Sequence, residues 1–205
     1  MSTLTLLLMS TIKRVSSIFL AAGLALSVGG NVNAAGKAKT SCAGRTATIV
    51  SASPVIYGTE FNDVIVVIGI GSHTIQALGG DDVVCGANSV DVVYGGHGND
   101  RIDGRGGNDV LSGDLGDDVI FGNNGEDSIS GGEGRDYLFG LNDNDDMTGD
   151  VGDDVMFGNN GNDHMAGSAG VDLIVGGNGN DRLVVEEGID IVFDDDPAGL
   201  ALRSK

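Results

Sequence analysis

Tryptophan is absent from this 205-residue chain, and aromatic residues make up only 4% of it. A sequence so poor in large side chains does not build the single thick core of an ordinary globular domain. Basic residues are scarce as well. Lys+Arg number 11 against 30 Asp+Glu, giving a net charge of −19. This balance argues against a nucleic-acid partner, whose phosphates recruit basic patches. It argues equally against electrostatic docking on anionic lipid. The acids are 25 Asp and only 5 Glu, a skew that fits short carboxylates placed in turns better than a solvated acidic surface. No zinc-binding helix motif and no nucleophile elbow is present, and the three histidines follow no common spacing, so an enzyme is not expected.

What the chain has instead is glycine, 36 residues of it, set in a strict period. From Ala77 to Phe193 one nine-residue unit recurs thirteen times without an insertion, and Gly95-Gly96-His97-Gly98-Asn99-Asp100-Arg101-Ile102-Asp103 shows it best. Glycine favours places 1, 2 and 4. Place 6 reads Asp82, Asp91, Asp100, Asp109, Asp118, Asp127, Asp136, Asp145, Asp154, Asp163, Asp172, Asp181 and Asp190. Place 8 is aliphatic throughout, from Val84 and Val93 to Leu183 and Val192. Turn capping by aspartate does not demand the same place thirteen times running. The residues 58–66 form a degenerate earlier copy with Asp63 at place 6. Val67 then breaks the register, and the copy at 68–76 carries His73 instead of aspartate. Drifting terminal copies are what a solenoid needs to close its ends.

The unit resembles the glycine- and aspartate-rich nonapeptide of RTX (repeat-in-toxin, haemolysin-type) proteins. That resemblance implies an all-β fold, a calcium-binding parallel β-roll in which two repeats make one coil of 18 residues. Each repeat is expected to divide into a six-residue turn and a three-residue strand at places 7–9, with place 8 pointing inward. Glycines at places 1, 2 and 4 are expected to supply positive φ and close packing. Calcium suits the purpose, since it accepts six to eight oxygens and mixes carboxylates with carbonyls. In the family, each ion sits between turns two repeats apart. Carried over, the pairs run from Asp82 with Asp100 and Asp91 with Asp109 to Asp172 with Asp190, and Asp63 is placed to reach Asp82. Pairs touching the last repeat, and those at Ser89 and Asp143 where the place-4 glycine is replaced, are the weaker members.

The ends are organised differently. Lys13 and Arg14 precede an apolar run from Val15 to Val28, and Val32-Asn33-Ala34 offers small residues for cleavage, so residues 1–34 are expected to be a secretory signal peptide. Met9 begins an alternative, more usual start. The apolar run is shorter than the ~20 residues a spanning helix needs. Residues 35–57 form an amino-terminal cap, 58–193 the roll and 194–205 a polar tail. An exported chain can oxidise its two cysteines, so Cys42 and Cys85 are expected to pair, closing a loop worth ~4 kcal/mol on the chain-entropy model.

Outward residues recurring every 18 positions share a face. One face carries Phe121, Tyr137, Phe139, Phe157 and Phe193, whereas the other carries Ser128, Ser130, Asp146 and Thr148. The aromatic row is either an interface for self-association or for a surface or glycan partner, or a ladder that steadies its own sheet. The expected function is a secreted, extracellular or cell-surface calcium-binding roll that folds outside the cytoplasm and serves as a structural or interaction module. The alternatives are a surface adhesin or glycan-binding module, or an accessory module of a separately encoded extracellular enzyme or toxin.

Overall fold

Residues 41–184 and 191–193 are described in the computed structural model of the chain. The signal-like segment, the polar tail, Asp190 and the side chain of Phe193 lie outside the described residues. Strands are the regular elements throughout, and they stack into two parallel sheets of eight and nine strands. In the regular array, neighbours within a sheet are 18 residues apart: Val119–Asn124 pairs with Arg101–Gly106 before it and with Tyr137–Asn142 after it. Successive repeats therefore fall on opposite sheets, and the chain is a parallel β-roll of about eight coils.

The division of the repeat differs from the sequence expectation. Strands in the regular array span six residues, places 7–9 and then 1–3 of the next unit, as in Ser128–Glu133 and Tyr137–Asn142. Only places 4–6 turn the corner. Place 1 sits inside the strand because its glycine faces inward, two residues beyond the place-8 side chain, and keeps the strand's alternation going. The register continues through places 2 and 3, where Asn123 pairs with Leu141 and Asn124 with Asn142. Longer strands close more backbone hydrogen bonds per coil, which matters in a chain with so few large side chains.

The core is one residue wide. Ile102, Ile120, Leu138, Met156 and Ile174 come from one sheet and Leu111, Ile129, Met147 and Met165 from the other, all essentially inaccessible. Burying each contributes roughly 1.5–3 kcal/mol. Strands Ile49–Ser51 and Val55–Tyr57 also join the sheets in parallel, so the roll begins one coil before the recognisable repeat. The four-residue apolar strand Val64–Val67 is buried on both sides. Ile65 and Val67 enter the roll core, while Val64 and Val66 meet Val83, Cys85 and Cys42 in a second apolar cluster. A disulfide joins Cys42, in the short Ser41–Cys42/Arg45–Thr46 hairpin, to Cys85, with Cα atoms 5.8 Å apart, and both residues are buried. Val67, which breaks the period, is thus absorbed as a core residue.

The aromatic row on the nine-stranded sheet is a continuous stack. Phe121 and Phe139 lie 4.9 Å apart between ring centroids and Phe139 and Phe157 5.4 Å apart, with interplanar angles of 7° and 4°. The Arg101 guanidinium covers the far side of the Phe121 ring at 4.3 Å. Tyr137, two residues before Phe139 on the same strand, remains exposed. Phe139 is flanked by two rings and Phe157 by one, with Val175 in the following rung. Each aromatic pair is worth about 0.5–1.5 kcal/mol beyond its area. Phe139→Leu should therefore destabilise the folded protein by about 1–3 kcal/mol, roughly twice the effect of Phe157→Leu, as read from denaturant midpoints.

Candidate metal centre

The place-6 aspartates stand at the corners, at the entrance to each strand. From Asp82 to Asp172 every one is at most 2% exposed. Burial of so many carboxylates is costly unless they are bonded, and one oxygen of each is. Oδ1 accepts the backbone N–H of the place-6 residue one coil earlier: Asp82 donates to Asp100, Asp100 to Asp118 and Asp118 to Asp136, at 2.7–2.8 Å. The other row repeats this from Asp91 to Asp109, Asp127, Asp145 and Asp163, at 2.8–2.9 Å. Corners are where a parallel stack loses its backbone ladder, and these carboxylates replace the missing acceptors.

The second oxygen is different. Oδ2 of Asp82, Asp100, Asp109, Asp118, Asp127, Asp136, Asp145, Asp154 and Asp163 is buried and accepts no hydrogen bond. From Asp100 to Asp163 it points at the place-1 glycine of its own repeat. A Cβ added to Gly104 would lie 2.6 Å from Asp109 Oδ2, 3.0 Å from the Gly122 carbonyl oxygen and 3.2 Å from Leu111. Place 1 is glycine for space, and its φ is not positive. Positive φ belongs to places 2 and 4, and place 2 accepts it without glycine at Arg105 (74°), Asp114 (71°), Asn123 (80°) and Leu141 (86°). The three glycines of the unit thus answer two separate demands.

Burial holds these carboxyls well above the ordinary value of 3.8, opposed by the accepted N–H and reinforced by nearby acids. Asp109 and Asp118 rise to about 8, Asp82, Asp145 and Asp154 to about 7, and Asp100, Asp127 and Asp136 to about 6. Asp163 moves the same way. Two rows of buried, half-satisfied carboxylates repeating at strand spacing are a set of oxygen donors in search of a cation. The hard acidic donor set, with glycine-lined room beside each Oδ2, fits calcium. Among the described residues no three His, Cys, Asp or Glu side chains converge on one point. An ion between coils would therefore draw its remaining oxygens from backbone carbonyls.

The RTX calcium-binding nonapeptide repeat model matches residues 86–120, 121–156 and 157–192, together just over half of the chain. The chain belongs to this family. No curated protein matches it. As an RTX repeat protein it is a calcium-binding structural module, and its roll is not a catalytic fold. Among the described residues, no helix is long and apolar enough to cross a membrane.

Several sequence-expected positions are not equivalent to the rest. Asp63 Oδ2 accepts the Thr59 N–H and hydroxyl, both at 2.8 Å, and its Oδ1 accepts the Thr48 hydroxyl at 2.9 Å. Asp91 Oδ2 accepts the Ala87 N–H at 2.7 Å, and its Oδ1 lies 2.8 Å from His73 Nδ1. Asp63 nevertheless reaches Asp82 across the Val67 insertion, donating its N–H to Oδ1 at 2.7 Å. At the irregular place-4 positions, Asp143 keeps a positive φ of 74° and accepts the Gly125 N–H, while the Ser89 hydroxyl bonds the Gly71 carbonyl.

Sequence reasoning missed a second corner ladder at place 5. Asp81, Asn99, Asp117, Asn144 and Asn162 each accept the place-5 N–H of the following coil, opposite in sense to place 6. It also missed a place-3 ladder on the nine-stranded sheet, where the side-chain amides of Asn124, Asn142, Asn160 and Asn178 bond one to the next. The signal for both was present as an 18-residue recurrence of Asn and Asp at those places.

The raised carboxyls give a pH signature. In chelator they favour the folded roll below pH ~4, where they are protonated in both states, and that support is lost as pH rises through about 6–8. Metal binding needs them ionised and runs the other way. Strand circular dichroism in chelator should fall between pH 4 and 8, while the calcium midpoint should shift to lower concentration over the same range.

Proposed function

We propose that this chain is an exported calcium-binding β-roll that completes its folding on external calcium and serves outside the cytoplasm as a structural or interaction module. The observation that carries the reading is the unbonded, buried Oδ2 repeated along both rows. Such atoms cost free energy in the metal-free roll, and the like charges stacked at ~4.8 Å add repulsion. A cation between coils reverses both penalties, so binding energy becomes folding energy. The ligands proposed are the place-6 carboxylates from Asp82 onward, apart from Asp91 whose two oxygens already have protein partners: Asp82, Asp100, Asp118, Asp136, Asp154 and Asp172 in one row, and Asp109, Asp127, Asp145, Asp163 and Asp181 in the other. Asp190 extends the first row by sequence pattern. The export reading rests on the Lys13-Arg14 and Val15–Val28 pattern. The Cys42–Cys85 disulfide suits an oxidising compartment.

For the aromatic face, the geometry favours a ladder that steadies its own sheet. A sugar ring stacks on an open aromatic face, whereas the faces of Phe121, Phe139 and Phe157 are turned toward one another and toward Arg101. Light scattering of the calcium-loaded protein tests this: a monomer supports the ladder, and a Phe139-dependent dimer supports the interface.

Calcium titration followed by circular dichroism tests the main reading. At pH ~8, where the corner carboxyls have lost the support of protonation, strand signal in the regular array should appear with calcium and vanish in chelator, and an array fully formed in chelator would sink the proposal. Asp127→Ala, in mid-array, should raise the calcium midpoint clearly more than Asp63→Ala, whose oxygens already have protein partners.

A further inference from the structure

We infer that the amino-terminal coils fold without calcium and serve as a built-in template from which the calcium-dependent coils grow toward the carboxyl terminus. The inference rests on the calcium-folded reading above and concerns where in the chain that dependence begins.

The first member of each corner row replaces a metal with protein donors. In one row it is Asp63, whose two oxygens take Thr48 and Thr59 hydroxyls and the Thr59 N–H. In the other, His73 occupies the place-6 position itself. Its ring is 3% exposed and its Nδ1 lies 2.8 Å from Asp91 Oδ1, while the Ala87 N–H satisfies Oδ2. With the ring proton on Nδ1, the imidazole donates to Asp91 Oδ1. The Ala87 N–H thus supplies to Asp91 Oδ2 what a cation would supply elsewhere, and the imidazole of His73, standing where the repeat has a carboxylate, bonds Oδ1. The steps Asp63–Asp82 and His73–Asp91 accordingly take no ion, although the spacing of the repeat offers one at each.

The same coils carry burial that the regular array lacks. Val64–Val67 is enclosed on both sides, and the second apolar cluster of Cys42, Val64, Val66, Val83 and Cys85 is found here. The Cys42–Cys85 bond closes this segment on itself, restricting its unfolded state. The regular coils have one file of core residues, and at Asp82 and from Asp100 to Asp163 their corner Oδ2 atoms lack partners. Apolar burial and protein-supplied hydrogen bonds are concentrated at one end, and metal-demanding corners occupy the rest. Because each coil pairs only with its neighbours, a preformed end presents a strand edge on which the next coil can order without a new nucleation step.

Hydrogen exchange on the full-length oxidised protein, resolved by mass spectrometry, tests this. In chelator, amides of Val64–Val67, His73–Gln76 and Val83–Cys85 should exchange at least about tenfold more slowly than those of Tyr137–Asn142 and Val155–Asn160. Calcium should then protect the second group. Uniformly fast exchange in chelator with protection throughout in calcium would overturn the template while leaving the calcium reading intact. Uniform protection in chelator, unchanged by calcium, would overturn both. His73→Asp, which restores the repeat's own residue, should make protection of His73–Gln76 depend on calcium and add one bound ion by isothermal titration. A variant with wild-type protection and stoichiometry would overturn the role given to His73.

Discussion

Everything in this molecule hangs on the accounting of a buried carboxylate. The corner of a parallel roll is where backbone pairing between coils runs out, leaving an N–H with no acceptor. Aspartate, the shortest carboxylate, brings one oxygen within 2.7–2.9 Å of that N–H from the next coil. The solution is local and repeatable, but it buries a charge and leaves its second oxygen without a partner. The glycine at place 1, the raised carboxyls and the need for a cation all follow from this one choice. Glutamate would place its carboxylate a methylene further out, in keeping with its absence from place 6 throughout the array.

Much of this was legible in the sequence because the period is strict. An 18-residue recurrence on each sheet, inward place-8 residues and the segregation of Phe121, Phe139 and Phe157 from Ser128, Ser130 and Thr148 all follow from counting in nines, and the Cys42–Cys85 pair from there being two cysteines in all. The partition of strand and turn did not. Glycine reads as a turn residue in sequence, whereas Gly122 and Gly131 lie within strands because no larger residue fits beside Asp127 and Asp136. Steric need and backbone freedom leave the same letter in the sequence, and only the φ values separate them.

The amino-terminal end was harder to read for a related reason. Thr48, Thr59 and His73 act on carboxylates 15, 4 and 18 residues away. None of them belongs to the consensus, so their departures look like decay. In space they are substitutions of one kind of counter-group for another. The place-5 and place-3 ladders were obscured in the opposite way: Asn and Asp alternate there with Arg135, Glu126 and Val90, and polar variety at a surface position reads as freedom. The two ladders bond in defined directions nonetheless, so each coil is tied to the next by side chains as well as by strands.

The alternation of sheets also constrains how such a gene can change length. Duplicating or losing a pair of nonapeptides shifts every downstream residue by a full coil and leaves its face unchanged. A single nonapeptide added between Phe121 and Phe139 would send all later rungs to the opposite sheet, interrupting the ring stack and bringing Asn142 and Asn160 out of line with Asn124. Slippage in units of 54 bases is therefore nearly silent in this architecture, whereas slippage by 27 bases exchanges its two faces.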